Sequence, residues 1–314
     1  MPDPECEPAK ITPERRAIGS ECYNLKGEKK FSSSRYVPTD QPRRKPSSHD
    51  SESGVHLTTV LITGASSGIG AAFARRFAAQ GCDLVLVARD KARLESAADA
   101  LRVEFEVSVE VLVADLLDPA ECRRVSDRVA SEDVPVDVLV NNAGFGLATP
   151  FPYSSLEDEE RMLELLVHVP LRLSHAAALG MRTRRRGAIL NISSVAGLLP
   201  TGTYGAAKAW VTAFSESLRI DMEPFGVRVL AVCPGFTRTE FQERARMDVS
   251  ALPSSAWLEA DAVVKQALKD LDHKRPVSIT GWRYKAFAVA ARHLPRAVVA
   301  KRMARTRRPP ASTT

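Results

Sequence analysis

The chain has 314 residues, 44% of them apolar, which fits one large globular domain or two small ones. No run of about 18 apolar residues occurs, so no membrane-spanning helix is expected. The net charge of +6 is local: residues 282 to 314 hold nine Lys and Arg and no acid, so the rest carries 6 minus 9, or −3. That distribution, without a zinc-finger, helix-turn-helix or RNA-binding pattern, argues against nucleic-acid binding. The N-terminus, Met-Pro-Asp-Pro-Glu-Cys-Glu, has neither the basic start nor the apolar stretch of a secretory signal. Cys6, Cys22, Cys82, Cys122 and Cys233 are scattered, with neither metal nor disulfide spacing, as in a reducing cytoplasm.

Residues 1–55 are rich in Pro, Ser and charge and lack periodicity, so they read as a disordered tail. From Thr58 short apolar runs alternate with helical patterns. Strands are expected at 60–62, 84–87, 109–113, 136–140, 188–192, 227–232 and 276–279. Helices are expected at 71–77, 91–104, 119–130, 157–181 with a kink at Pro170, 204–223 and 260–271. This order predicts an α/β fold: one doubly wound Rossmann-type domain over 56–281, its mostly parallel seven-stranded sheet covered on both faces. Residues 282–305 mix Trp282, Phe287 and Val289 with cations, which suggests basic amphipathic helices able to lie on an anionic membrane surface. Residues 306–314 read as a second disordered tail.

The first strand runs into Gly64-Ala65-Ser66-Ser67-Gly68-Ile69-Gly70, a glycine-rich turn that opens a helix. Such a turn lets backbone N–H groups and the positive helix end approach a pyrophosphate. At the end of the second strand Arg89 could pair with a 2′-phosphate and favour NADP(H). Asp90 beside it keeps NAD(H) open. Asp115, after the third strand, is placed for the adenine amino group.

Tyr204 and Lys208 are one turn apart on a helix. A lysine ammonium near a phenol lowers the phenol pKa and makes it usable as an acid/base. With Asn141-Asn142-Ala143-Gly144, Ser193-Ser194 and Pro234-Gly235 in this order, residues 57 to 281 resemble the short-chain dehydrogenase/reductase family. The resemblance implies a nicotinamide cofactor, a ketone or secondary-alcohol substrate, and a homodimer or homotetramer packed through helices 157–181 and 204–223. It makes Tyr204 the acid/base and Ser194 the hydrogen-bond donor to the carbonyl oxygen, and has Lys208 tune Tyr204 and hold the ribose. Asn142, Ala143, Gly144, Pro234, Gly235, Thr237 and Thr239 join the cofactor site.

Two positions depart from the family. Leu166 replaces a helix asparagine that helps hold a water behind the lysine, which raises the alternative of a cofactor-binding scaffold or sensor with little turnover. The Ser194–Tyr204 gap is ten residues rather than about thirteen. Phe241, Met247, Leu252 and Trp257 lie in the expected substrate-covering region and suggest an apolar substrate. His168, near Leu166, is read as structural.

Overall fold

The computed structural model describes residues 58–293 except 148, 246, 248 and 251, and the side chain of Arg292. The tails at 1–55 and 306–314, and the C-terminal part of the basic segment from 294 on, lie outside the described residues.

Seven parallel strands form one sheet: β1 (Thr59–Thr63), β2 (Asp83–Ala88), β3 (Val109–Val113), β4 (Val138–Asn141), β5 (Gly187–Ile192), β6 (Val227–Val232) and β7 (Val277–Ser278). Their spatial order is β3-β2-β1-β4-β5-β6-β7. Side chains alternate across the sheet, so each strand feeds two apolar layers. Val60 and Ile62 join Phe73 and Phe77 of α1 (Gly68–Ala78), Leu94 of α2 (Lys91–Phe105), and Val263 and Leu271 on the same face. Leu61, between them, faces Val125 of α3 (Pro119–Ala130) in the opposite layer. Fully burying one such Leu or Ile stabilises the fold by about 1.5–3 kcal/mol.

Helix starts follow their capping residues. Asp90 accepts from the Arg93 N–H at 3.1 Å to open α2. Asp118 accepts from Ala120 and Glu121, both at 2.9 Å, ahead of Pro119 in the first turn of α3.

The expected long fourth helix is divided. Helix α4 (Leu156–Leu163) passes through a π-helical turn (Glu164–His168) into α5 (Val169–Arg184). The Val169 N–H bonds the Glu164 carbonyl, five residues back. Pro170 has no N–H to close the next turn, so the distortion falls just ahead of it rather than as a simple kink. Taken together, Leu156–Arg184 is long and apolar enough by composition to cross a bilayer. Its Val169, Leu173, Ala177 and Met181 instead pack beneath the sheet.

Helix α6 (Gly202–Met222) lies beside α5 and carries Tyr204 and Lys208. Four buried polar side chains tie both helices to the sheet. The Asn141 amide donates to Asn191 Oδ1 at 2.8 Å and to Ser174 Oγ at 3.1 Å, and the Asn191 amide donates to Ser215 Oγ at 2.9 Å. The chain then forms the short α7 (Phe241–Arg244), α8 (Ala260–Asp272) and α9 (Trp282–His293).

Candidate functional site

The loops after β1, β2, β4, β5 and β6 emerge at the C-terminal edge of the sheet, where the strand order reverses between β1 and β4. In doubly wound sheets this edge is where ligands bind.

The glycine turn after β1 is braced from β4. Thr63 Oγ1 accepts from the N–H groups of Asn142 at 2.9 Å and Ala143 at 3.0 Å. The Asn142 amide donates to the Thr63 and Gly64 carbonyls at 2.9 and 3.1 Å. A Cβ on Gly70 would overlap the Gly64 carbonyl oxygen and the Asn142 amide, so the turn closes only around glycine. Gly68 has φ +57°, a left-handed conformation that glycine adopts without strain. Ser67 makes no side-chain cap bond to α1, and the first turn of α1 carries no acid. Its positive end therefore suits an anion, and Ser66, Ser67 and Ile69 line the turn with partial exposure. These features fit a dinucleotide pyrophosphate.

At the ends of β2 and β3, Arg89 is exposed and its Nη1 lies 3.9 Å from Asp115 Oδ2. Asp115 also accepts from the Leu117 N–H at 3.0 Å. The Asp90 carboxylate is engaged with the start of α2 and lies 3.4 Å from Arg93 Nε. Arg93 reaches across to Glu240 at 2.9 Å.

At the other end, β5 delivers Ser193 and Ser194 to different tasks. Buried Ser193 bonds the Lys208 carbonyl at 2.6 Å and Thr212 Oγ1 at 2.7 Å, tying β5 to α6. Ser194 Oγ accepts from the Ala196 N–H at 3.1 Å and stands near enough to the Tyr204 phenol to favour its ionised form. Lys208 is buried. Its Nζ donates to the Ile192 carbonyl at 2.7 Å and lies 5.8 Å from the Tyr204 ring centre.

The electrostatics differ from the sequence-based expectation. Burial pushes the Tyr204 phenol up to about 12, only partly opposed by Ser194. Burial likewise brings Lys208 down to about 8. The ammonium is turned toward the Ile192 carbonyl, and desolvation of the phenol sets the direction. At neutral pH Tyr204 thus holds its proton, as a donor must, and Lys208 stays charged.

Leu166 is fully buried with Met162, Ala207 and the partly buried Phe145 and Tyr204. A Cβ on Gly144 would stand 2.8 Å from Leu166 Cδ2 and 3.9 Å from Lys208 Nζ, so Leu166 fills the space beside the lysine with hydrocarbon. His168 is exposed and bonded to Glu164 on its own helix. The shortened loop after Ser194 is a 3-10 turn, Val195–Leu198, followed by Thr201 Oγ1 bonding the Ala196 carbonyl at 3.0 Å.

Pro234 is joined to the serine loop through its carbonyl, which accepts from the Val195 N–H at 3.1 Å. Thr237 is buried and donates to the Gly235 carbonyl at 3.0 Å. The Thr239 methyl closes on Gly68. Phe241 lies over Tyr204, ring centres 5.8 Å apart. Phe236 and Trp257 meet at 6.0 Å.

Sequence reasoning missed Thr63, whose signal was a hydroxyl immediately before the first glycine. Asn142, expected at the cofactor, turns its side-chain amide onto the glycine turn.

Residues 58–250 match the short chain dehydrogenase family, and the chain belongs to it. It is 40% identical over 187 residues to sulfoacetaldehyde reductase 2 of Chromohalobacter salexigens, covering 58% of this chain and 73% of that one. It is 31% identical over 192 residues to the very-long-chain 3-oxoacyl-CoA reductase of Anas platyrhynchos, covering 58% of this chain and 61% of that one. A short-chain dehydrogenase from Sphingobium yanoikuyae, solved in complex with NADPH, superposes with a TM-score of 0.69 at 41% identity, covering 82% of this chain and 99% of that one. The protein is accordingly an oxidoreductase acting on CH–OH or C=O groups.

Proposed function

We propose that the chain interconverts an apolar ketone and its secondary alcohol with NADP(H), using Ser194, Tyr204 and Lys208. One observation carries this reading: the Tyr204 phenol, the Ser194 hydroxyl and the buried Lys208 ammonium lie together beside a turn suited to a pyrophosphate. When bound, the nicotinamide supplies or accepts the hydride. In the reducing direction the Tyr204 phenol gives its proton to the carbonyl oxygen as the C=O π bond opens. Ser194 donates a hydrogen bond to that oxygen, and Lys208 holds positive charge behind Tyr204. Phe241 and Phe145, packed against Tyr204, favour an apolar substrate. The pyrophosphate would rest on Gly64–Gly70, with Ala143, Gly144, Pro234, Gly235, Thr237 and Thr239 around the nicotinamide half and Asp115 at adenine. Preference for NADP over NAD is supported by exposed Arg89 and by the capping role of Asp90.

The test is NADPH oxidation with a panel of bulky ketones. Tyr204→Phe should lower kcat by about 100-fold or more, and a variant as active as the unaltered chain would end the assignment. The second reading, a cofactor-binding scaffold with little turnover, rests on buried Leu166 beside Lys208. Tight NADPH binding without turnover on any ketone would favour it.

A homodimer or homotetramer is the proposed assembly, supported by Leu171 and Leu179 on α5 and Ile220 on α6, all exposed. Peripheral membrane contact through 282–305 is supported by Trp282, 74% exposed, and by Val289 on the same outward face of α9, with Arg283 and Lys285 exposed beside them. Sedimentation with anionic vesicles should capture the full chain and release the Arg283→Glu/Lys285→Glu variant. Equal recovery of both with the vesicles would count against it.

A further inference from the structure

One side chain of α9 joins the two ends of the segment that covers the site. The Tyr284 hydroxyl accepts from the Phe236 N–H at 3.0 Å and donates to the Ala256 carbonyl at 2.6 Å. Its ring fills the space above Gly235, where any Cβ would overlap it. Around this phenol the chain forms a neck. The Leu258 N–H bonds the Phe236 carbonyl at 2.8 Å, and the Arg238 N–H bonds the Leu258 carbonyl at 2.9 Å. The residues leaving this neck are those that touch the site: Thr239 on Gly68 and Phe241 on Tyr204.

We propose that Tyr284 is a positioning residue for the reaction. Its phenol bridges the neck, and by doing so sets where Gly235 and Phe241 stand relative to Tyr204. Phenylalanine could fill the same space, so packing alone does not require the hydroxyl. The hydroxyl is required because it links two half-buried backbone groups, Phe236 N–H and Ala256 C=O. Without it both lose a partner. The inference rests on the Ser194–Tyr204–Lys208 reading of the site.

The experiment compares the full chain with Tyr284→Phe. Losing a buried partner costs enough to expect kcat/KM for the ketone to fall about fivefold to fiftyfold. Because the neck meets the glycine turn through the Thr239 methyl on Gly68, and Tyr284 bonds neither, the NADPH dissociation constant should rise by no more than about threefold, less than kcat/KM falls. The isotope effect from 4-deuterated NADPH should rise as hydride transfer becomes slower relative to binding. Amide hydrogen exchange should quicken at residues 234–241 and stay unchanged in β4, β5 and α6. Unchanged exchange, or faster exchange with unchanged kcat/KM, would overturn the proposal. If the unaltered chain turns over no ketone, the reductase reading fails and exchange alone decides the placement. Should Tyr284→Phe not fold, the unaltered chain still decides: a Phe236 amide exchanging at the rate of an unstructured peptide would refute the bridge.

Discussion

At the nucleotide end of the cleft, the glycine turn is held by Thr63 and Asn142, which reach it from the adjacent strand ends β1 and β4. At the carbonyl end, Tyr204 is surrounded by residues from α4–α5, the serine loop and the 236–245 segment, whose first residue is bonded by Tyr284 of α9. The first end is built from neighbours in the sheet and tolerates no added atom. The second is assembled from distant parts of the chain around a buried charge. A change at the nucleotide end should therefore damage fold and binding together, whereas a change at the carbonyl end should alter ionisation and turnover first.

Gly70→Ala probes the nucleotide end most severely. The added methyl meets a carbonyl oxygen that cannot move without opening the Thr63–Asn142 brace, so stability should drop by about 3 kcal/mol or more, with NADPH binding lost. Urea unfolding and a fluorescence titration read both, and a variant as stable as its parent would show that the brace yields.

Lys208 probes the other end through pH. Its folded pKa, about 8, lies below the ordinary 10.5. Between these values the unfolded chain binds more protons, so stability rises with pH. The contribution is complete above 10.5 and is lost as pH falls through 8. Tyr204 works in the opposite sense, since its folded value is raised from 10 to about 12, and its contribution is lost as pH rises through that window. Removing the buried charge with Lys208→Met should change the stability difference from the parent by about 3 kcal/mol between pH 7 and 10.5. Thermal unfolding of both proteins across that range checks the sign, and a pH-independent difference would mean Lys208 is not desolvated.

A milder effect at the nucleotide end is expected from Arg89→Ala. Loss of one charge-assisted contact should raise KM for NADPH by about tenfold to hundredfold and leave NADH unaffected. Equal effects on both cofactors would remove Arg89 from the 2′-phosphate.

Much of the fold was legible because apolar runs, caps and glycine turns are local signals. Strands β3 and β6 and helix α3 begin and end where the periodicity places them. The π-helical turn was only half visible: Pro170 signalled a disturbance, but the sequence does not say whether a helix kinks or widens there. At the site, the glycine turn and the Tyr204–Lys208 spacing could be read directly. The direction of the Tyr204 pKa could not, because it depends on how much hydrocarbon, Leu166 and Phe241 included, the fold gathers around the phenol. Tyr284 was illegible for the same reason, since its partners lie 48 and 28 residues away.

The paired amides of Asn141 and Asn191 act as a registration pin for the whole cleft. The two residues face each other across β4 and β5. Sliding either strand by one position would turn its amide to the opposite face of the sheet and strand it among Val and Leu side chains. Asn142 begins immediately beyond one strand and Ser194 stands three residues beyond the other member of the pair. One buried amide contact thereby fixes the relative height of the phosphate turn's brace and the serine that meets Tyr204, so the two ends of the cleft share a common ruler.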